Sequence, residues 1–181
     1  VQQWLGDVGQ ENPELKMNAD TLAALINIRL GSLAEARTLL NEWQTSDSEA
    51  VNRATGQLLR AEAQKAAGNE DYATARAKAA EAIAMEPENL GYSLLPVGIY
   101  QMEGKLDEAL NALNAVEETF GAERPVILSR AALLRQKEGS RPAYNYLLEQ
   151  WQSSQDVGLM PSLISLARTE APETQAELTD N

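Results

Sequence analysis

The stretch Gly104-Lys-Leu-Asp-Glu-Ala109 decides the fold, because a similar stretch, Gly31-Ser-Leu-Ala-Glu-Ala36, stands earlier in the same chain. With Gly68 and Gly139 these glycines form a series at intervals of 37, 36 and 35 residues. Each glycine follows one helix-like stretch and precedes another, so we expect it to end a helix in a left-handed cap. Self-similarity at such a period predicts a stack of repeated units.

The tryptophans repeat in step with the glycines. Trp43 closes Leu39-Leu-Asn-Glu-Trp43-Gln, Trp151 closes Leu147-Leu-Glu-Gln-Trp151-Gln, and Trp4 follows Val1-Gln-Gln. The interval from Trp43 to Trp151 is 108 residues, or three units of 36. Since Trp43 and Trp151 end apolar stripes of helical period, we predict that they are core residues rather than platforms for a ligand.

Apolar residues follow the helical period along the whole chain, and no segment alternates as a strand would. The predicted fold class is therefore all-α, a superhelical α-solenoid of antiparallel helix pairs. We expect helices at about 1–7, 18–30, 33–45, 49–67, 71–85, 93–103, 106–119, 124–138, 141–154, 157–169 and 172–180. Pro96 falls inside the stretch 92–100, and we favour a late helix start, with Ser93 as N-cap, over a kinked helix.

The predicted domain organisation is a single array over residues 1–181. Four full helix pairs occupy 13–48, 49–88, 89–122 and 123–155, and partial units occupy 1–12 and 156–181. The chain starts at Val1, without Met, on what reads as the tail of a helix, so we expect a fragment of a longer protein. Apolar helix faces at the two ends of such a fragment favour self-association.

The composition argues against catalysis. The 181 residues include no His and no Cys, so the commonest general base and the thiolate nucleophile are both missing. No glycine-rich phosphate loop and no nucleophile elbow is present. Neighbouring carboxylates such as Glu117 and Glu118 diverge by about 100° on a helix and predict a solvated face. We therefore predict no enzyme activity, no cofactor and no metal site.

The charge balance narrows the class of partner. The formal net charge is −12, which repels phosphate backbones and anionic lipid, so we expect no nucleic-acid partner. No run of 18 apolar residues exists, so this segment is not expected to insert into a membrane. The segment is expected to be soluble, and the sequence does not separate the cytoplasm from the periplasm.

The stretch Gly104-Lys-Leu-Asp-Glu-Ala109, with Tyr100 four residues before the glycine, resembles a tetratricopeptide repeat (TPR). So does Gly31-Ser-Leu-Ala-Glu-Ala36, and Ala75 and Pro87 stand at the family's spacing. The resemblance covers residues 13–154. The chain departs from the family in its units of 35–39 residues, in a second turn that is two residues longer, and in the tryptophans late in the second helices.

The resemblance implies a right-handed superhelix whose first helices line a concave groove for a protein or peptide. Carried over by spacing from each glycine, with an uncertainty of about two residues in the second unit, the groove positions are Asn18, Thr21, Leu25, Ile28, Arg29, Leu58, Glu62, Lys65, Leu94, Gln101, Met102, Ser129, Leu133, Gln136 and Lys137. The positions with which some members grip a C-terminal carboxylate hold Thr21, Leu25 and Leu58, so that binding mode is not expected. The basic side chains of the groove suit either an acidic peptide or a role as helix-end charges.

Three functions fit these features. The leading hypothesis is a non-catalytic scaffold that binds a protein segment in the groove. A second is part of a bacterial envelope assembly or export factor, since residues Leu94 to Ala167 faintly resemble the last repeats of the lipopolysaccharide assembly protein B family, without that family's cysteines. A third is the regulatory arm of an enzyme encoded outside this segment. Fold alone does not separate these functions.

Overall fold

The computed structural model describes residues 12–179, with side chains as far as residue 169. This part of the chain is helical and contains no strand, which confirms the predicted all-α class. Its helices are α1 (Pro13–Leu30), α2 (Leu33–Asn41), α3 (Glu49–Gly68), α4 (Tyr72–Met85), α5 (Leu90–Ser93), α6 (Leu95–Met102), α7 (Leu106–Phe120), α8 (Arg124–Glu138), α9 (Ser140–Ser154), a 3-10 helix (Val157–Leu159) and α10 (Met160–Thr179). The predicted helix at 1–7, with Trp4, lies outside the described residues.

Helix α1 begins five residues before its predicted start because Asn12 caps it. The Asn12 side chain accepts a hydrogen bond from the Leu15 N–H at 3.1 Å, and Pro13 occupies the first turn, where a missing N–H costs nothing. The helix ends at Gly31, whose φ of 80° is left-handed. A residue with a Cβ resists that conformation, so the predicted glycine cap is confirmed here.

The turn after α3 differs from the prediction. Gly68 is the last residue of the helix, and the left-handed residue is Glu70, with φ 64°. Asp71 then caps α4 by accepting a hydrogen bond from the Thr74 N–H at 3.1 Å. The left-handed cap predicted at Gly68 is therefore wrong, because the two extra residues of this turn move the chain reversal beyond the glycine.

The chain divides into two compact units, 1–95 and 96–181. In the first, α1 packs against α2 and α3, and α3 packs against α4. Its main core is formed by the buried residues Ala24, Leu33, Ala36, Leu40, Val51, Ala54 and Leu58. A smaller cluster joins Leu59, Ala82 and Tyr92. The prediction of one continuous array stays a prediction.

In the second unit, α8 packs against α7 and α9, and α9 packs against α10. The 3-10 helix contacts α8, α9 and α10. The core consists of the buried residues Ile127, Ala131, Ala143, Leu147, Leu159, Leu163 and Leu166. Trp151 is partly buried against this core, as Trp43 is in the first unit, so both rings lie at a core margin.

The segment around Pro96 is an interrupted helix. Asn89 caps α5 by accepting a hydrogen bond from the Tyr92 N–H at 3.3 Å, and the helical stretch breaks at Leu94 before α6 begins. A late start with Ser93 as N-cap is therefore wrong. The break has a simple cause: Pro96 has no N–H to donate, and its ring opposes the carbonyl four residues earlier, at Tyr92.

Two further boundaries differ from the prediction. Helix α2 ends at Asn41, so Trp43 lies in the turn that follows and not late in the helix. The predicted pair 157–169 and 172–180 is instead the 3-10 helix followed by the single helix α10. No glycine follows Gly158, so this segment lacks the residue that turns the chain after α1 and after α8.

Candidate functional site

Helix α3 presents one polar face to solvent. Arg53, Gln57, Arg60 and Gln64 are exposed and follow each other at i, i+4, i+7 and i+11. This spacing places four long polar side chains on one side of the helix. The opposite side is buried in the core through Val51, Ala54 and Leu58, so α3 is amphipathic over its whole length.

These side chains border a cleft of about 570 Å³ within the first unit. Helix α1 contributes Ile28, helix α3 also contributes Ala61, and the segment that connects α4 to α5 contributes Glu86, Asn89 and Tyr92. Ile28, Ala61 and Tyr92 provide apolar surface, whereas the remaining lining groups are polar. The cleft therefore combines apolar contact with amide and guanidinium groups that form hydrogen bonds.

Gly56 lets Tyr92, which lines the cleft, pack against α3. A Cβ atom at position 56 would lie 2.7 Å from the Tyr92 hydroxyl and 3.0 Å from its Cε2 atom. Only glycine leaves room for the ring, which is 3% exposed. Burial raises the pKa of Tyr92, and the nearby Glu86 raises it further, so the hydroxyl stays protonated at neutral pH.

The charges around the cleft are unevenly paired. Arg53 forms a salt bridge with Glu49 one turn earlier on α3. Glu86 accepts a hydrogen bond from the Asn89 side chain at 3.0 Å. Arg60 has no hydrogen bond or ion pair with any residue that the structure describes. Its guanidinium is therefore available to a partner.

The register of the cleft differs from the predicted groove by one residue. The sequence assigns Leu58, Glu62 and Lys65 to the groove, whereas the lining residues of α3 are Gln57, Ala61 and Gln64. A shift of one residue rotates a position by about 100° around the helix. Leu58 consequently lies in the core at 1% exposure.

Two other predicted groove residues are also buried. Thr21 is 4% exposed, and its hydroxyl donates a hydrogen bond to the Met17 carbonyl at 2.7 Å. Leu133 is fully buried in the second unit. Like Leu58, these two side chains are buried in the protein interior, so they are not available to line a groove.

Glu62 is held within the first unit. Its carboxylate accepts two hydrogen bonds from Arg37 of α2, one of them from Nε at 2.7 Å. This pairing raises the pKa of Arg37 and ties α2 to α3. Among the other predicted residues of this unit, Ile28 lines the cleft. The exposed ones are Asn18, Arg29 and Lys65, and the partly buried ones are Leu25 and Leu94.

In the second unit the structure brings Gln101 and Gln136 together. The Gln101 side chain of α6 donates a hydrogen bond to the Gln136 side chain of α8 at 3.0 Å. Lys137 donates to Asp107 of α7 at 2.6 Å, a contact that raises the pKa of Lys137. Met102 is exposed and Ser129 is partly buried. These predicted residues therefore include two intramolecular pairings.

A smaller cleft of about 200 Å³ lies in the second unit, between α8 and α10. Its lining consists of Leu128, Ala131, Ala132, Arg135, Leu147, Ser162, Ser165 and Leu166. The predicted groove residues do not include this cleft, because they lie on the first helices of the four full units, whereas the far wall of the cleft lies on α10. The polar spacing of α3, by contrast, follows the helical period and is visible in the sequence alone.

Among residues 12–169, whose side chains the structure describes, no group of three or more acidic side chains is placed to hold a metal ion. No helix of the described part is both long enough and apolar enough to cross a membrane.

Comparison with known proteins identifies the fold. No protein-family model matches the chain, and no curated protein matches its sequence. A thermophilic TPR protein of Thermus thermophilus matches with a TM-score of 0.58 and 15% identity, over 90% of this chain and 87% of that one. A TPR protein of Parabacteroides merdae matches with a TM-score of 0.54 and 15% identity, over 90% of this chain and 61% of that one. The chain thus has a TPR-like helical-repeat fold, as predicted.

Proposed function

We propose that this chain is a non-catalytic scaffold for protein interaction, and that it binds an extended segment of a partner in the cleft along α3. The observation that carries the proposal is the row of exposed polar side chains, Arg53, Gln57, Arg60 and Gln64, beside partly apolar surface. The TPR-like fold supports the general class, and the cleft supplies a specific place.

The chemistry of the cleft suits an extended polypeptide. Such a segment presents a backbone donor and acceptor at nearly every residue, and none of them is satisfied within the segment. The amides of Gln57 and Gln64 can each donate and accept, so they can pair with that backbone whichever group faces them. Apolar surface at Ile28 and Ala61 then accommodates side chains that alternate with these contacts.

The cleft is built from packed elements. Its walls come from α1, α3 and the segment around Tyr92, and these are joined by the core clusters of the first unit. A preformed wall needs little ordering when a ligand binds, which lowers the entropic cost of association. The site is therefore ready to bind without a large rearrangement.

The proposal is tested by placing a photocrosslinking amino acid at Gln64 and, as a matched control, at Gln152, an exposed residue of α9. The full chain is irradiated in extract of the source cells, and crosslinked peptides are identified by mass spectrometry. We expect one partner to be enriched at position 64 and absent at position 152. Equal labelling at both positions would count against a binding site on α3.

Self-association is a second proposal, favoured by an apolar stripe on α1. Leu22, Ile26 and Leu30 are 60%, 51% and 74% exposed at intervals of four residues, and Leu15 is 48% exposed one further heptad back. Exposed apolar stripes of this kind mark interaction surfaces. Sedimentation velocity should show concentration-dependent dimers that the variant Leu22→Glu/Ile26→Glu lacks, and monomers at all concentrations would argue against the stripe as a contact.

A further inference from the structure

We infer that the α3 cleft selects an acidic segment of its partner, with Arg60 and Arg53 as the groups that recognise carboxylates. This inference rests on the proposed binding function and adds the chemical class of the ligand. Three features support it: the charges of the cleft, the order of the side chains along α3, and the acidic character of the rest of the chain.

The charge of the cleft differs from that of the chain as a whole. The chain has 27 acidic and 15 basic residues, and its net charge is −12. Among the described basic side chains that form an ion pair, most are paired with a carboxylate on a neighbouring element. Arg37 is paired with Glu62, and Lys137 is paired with Asp107. The cleft instead holds two guanidinium groups and the single carboxylate of Glu86. Among the lining residues alone, positive charges therefore exceed negative ones, on a protein whose net charge is −12.

Both arginines of the cleft have exposed side chains. Arg60 is exposed and has no ion pair with the described residues. Arg53 is paired with Glu49, whose side chain is 85% exposed and lies on the same helix four residues away. Exposed pairs of this kind contribute little free energy, so a ligand carboxylate can take the place of Glu49. A ligand could therefore bind both guanidinium groups without breaking an ion pair between two described helices.

The polar side chains of the cleft follow a regular order along α3. Arginine and glutamine alternate at positions 53, 57, 60 and 64, so an amide follows each guanidinium. Positions 53 and 60 are separated by roughly 10 Å along the helix axis. An extended chain advances about 3.3 Å per residue, so two carboxylates two or four residues apart on one face come within reach of both side chains.

The arginines favour acidic side chains of a ligand over neutral and basic ones. A guanidinium binds a carboxylate of the ligand through two parallel hydrogen bonds. A neutral amide on the ligand cannot accept both bonds in this geometry, and a ligand lysine has no acceptor. Glu86, in the segment that connects α4 to α5, accepts a hydrogen bond from Asn89 and repels a second carboxylate. Acidic side chains of the ligand are therefore directed toward α3, whereas a basic segment would place its charges against the arginines.

The test is fluorescence anisotropy with three labelled octapeptides that share one frame, Gly-Ser-Xaa-Ser-Xaa-Ser-Xaa-Gly, with Glu, Gln or Lys at each Xaa. We expect the Glu peptide to bind the full chain at least about tenfold more tightly than the Gln peptide, and the Lys peptide not to bind. Arg60→Gln should weaken the Glu peptide about tenfold, and Arg60→Glu should remove its advantage over the Gln peptide.

The matched control is Arg141→Gln/Arg168→Gln, which removes two exposed arginines of the second unit. It has the same charge change as Arg53→Gln/Arg60→Gln and should leave binding of the Glu peptide unchanged. Because all four side chains are exposed, circular dichroism should show the same helix content in both variants. Equal loss of binding in the control would show that net charge, not the cleft, is responsible, and would overturn the inference.

Failure of the inference is distinguishable from failure of the proposed function. If the Gln peptide binds as tightly as the Glu peptide, and Gln57→Ala/Gln64→Ala abolishes both, the cleft binds peptide without charge selection. If the Glu peptide fails to bind at concentrations on the order of 1 mM, the acidic ligand is excluded. Specific crosslinking at Gln64 would then still support the scaffold.

Discussion

Gly56 shows how one residue shapes the cleft. In the middle of a helix, glycine is less favourable than alanine by about 1 kcal/mol. In this protein the missing Cβ lets the Tyr92 ring pack onto α3, where Tyr92 lines the cleft. The sequence alone does not indicate this role of Gly56, because Tyr92 lies 36 residues further along the chain.

We expect Gly56→Ala to lower the free energy of unfolding by about 1 kcal/mol, because a clash with a buried ring costs about 1–3 kcal/mol and outweighs the gain in helix propensity. Urea unfolding measures the change. Gly98→Ala in α6 is the matched control, since a Cβ there meets no atom within 4 Å, and it should be stabilising. Adding Tyr92→Phe to Gly56→Ala should recover part of the loss; a Gly56→Ala variant more stable than wild type would refute the packing argument.

Asp156 is a second residue with a specific role. It accepts hydrogen bonds from Arg124 at 2.7 and 2.8 Å and from the Gly158 N–H at 2.9 Å. The bond from Arg124, followed by that from Gly158, lowers the pKa of Asp156. The contact ties the start of α8 to the 3-10 helix. An unpaired aspartate in the unfolded chain has a pKa of about 3.9.

A pKa that is lower in the folded state contributes stability above the unfolded pKa and loses it as the pH falls through the folded pKa. We therefore expect the stability of the wild type to decrease below about pH 4, and Asp156→Asn to decrease less steeply over the same range. Urea unfolding between pH 2 and pH 7 measures both curves. Arg124→Gln should behave like Asp156→Asn, and parallel curves for all three proteins would show that the contact does not influence acid unfolding.

At the scale of elements, Trp43 connects the end of α2 to α1. Its indole Nε1 donates a hydrogen bond to Asp20 at 3.0 Å, and the Lys16 ammonium lies 5.0 Å from the ring centroid. Met17 and Leu39 are, like the ring itself, partly buried against the core. The sequence correctly indicates a packed tryptophan, but the polar attachment to α1 depends on two helices meeting.

We expect Trp43→Phe to lower the free energy of unfolding by about 1–2 kcal/mol, since it removes a hydrogen bond to a charged acceptor and keeps most of the apolar contact. Asp20→Ala should have a similar effect, and the double variant should be little worse than either single one. Thermal and urea unfolding of the four proteins gives the coupling. Strictly additive losses would mean that the two side chains do not interact.

At the scale of the whole molecule, the excess of acidic residues opposes the compact state. A net charge of −12 on 181 residues produces self-repulsion that salt screens. The Debye length decreases from about 30 Å at 0.01 M to about 8 Å at 0.15 M salt. Repulsion between distant charges is therefore strong at low salt and mostly screened at the higher concentration.

We expect the melting temperature to rise when sodium chloride is increased from 10 to 150 mM, because repulsion among the excess carboxylates weakens. Differential scanning calorimetry at constant pH measures it. A second acidic protein of similar size without ion pairs between helices serves as reference. A decrease in melting temperature would mean that attractive pairs, such as Arg124 with Asp156, outweigh the general repulsion.

Local patterns in the sequence are enough to predict the fold class and most helix positions. The glycine intervals and the apolar period are local properties, and backbone geometry converts them directly into helices, so α3, α4, α7, α8 and α9 begin and end within two residues of the prediction. The errors fall where a cap, a turn or a break is made by a few atoms: at Asn12, after Asn41, after Gly68, at Pro96 and after Gly158.

The tertiary structure alone decided which side chains line the cleft. One residue of register separates Gln57, which faces the cleft, from Leu58, which is buried, because each residue turns the helix by about 100°. A spacing rule accurate to two residues cannot resolve that difference. The contacts of Tyr92 with Gly56 and of Arg37 with Glu62 join distant parts of the chain, and only packing brings them together.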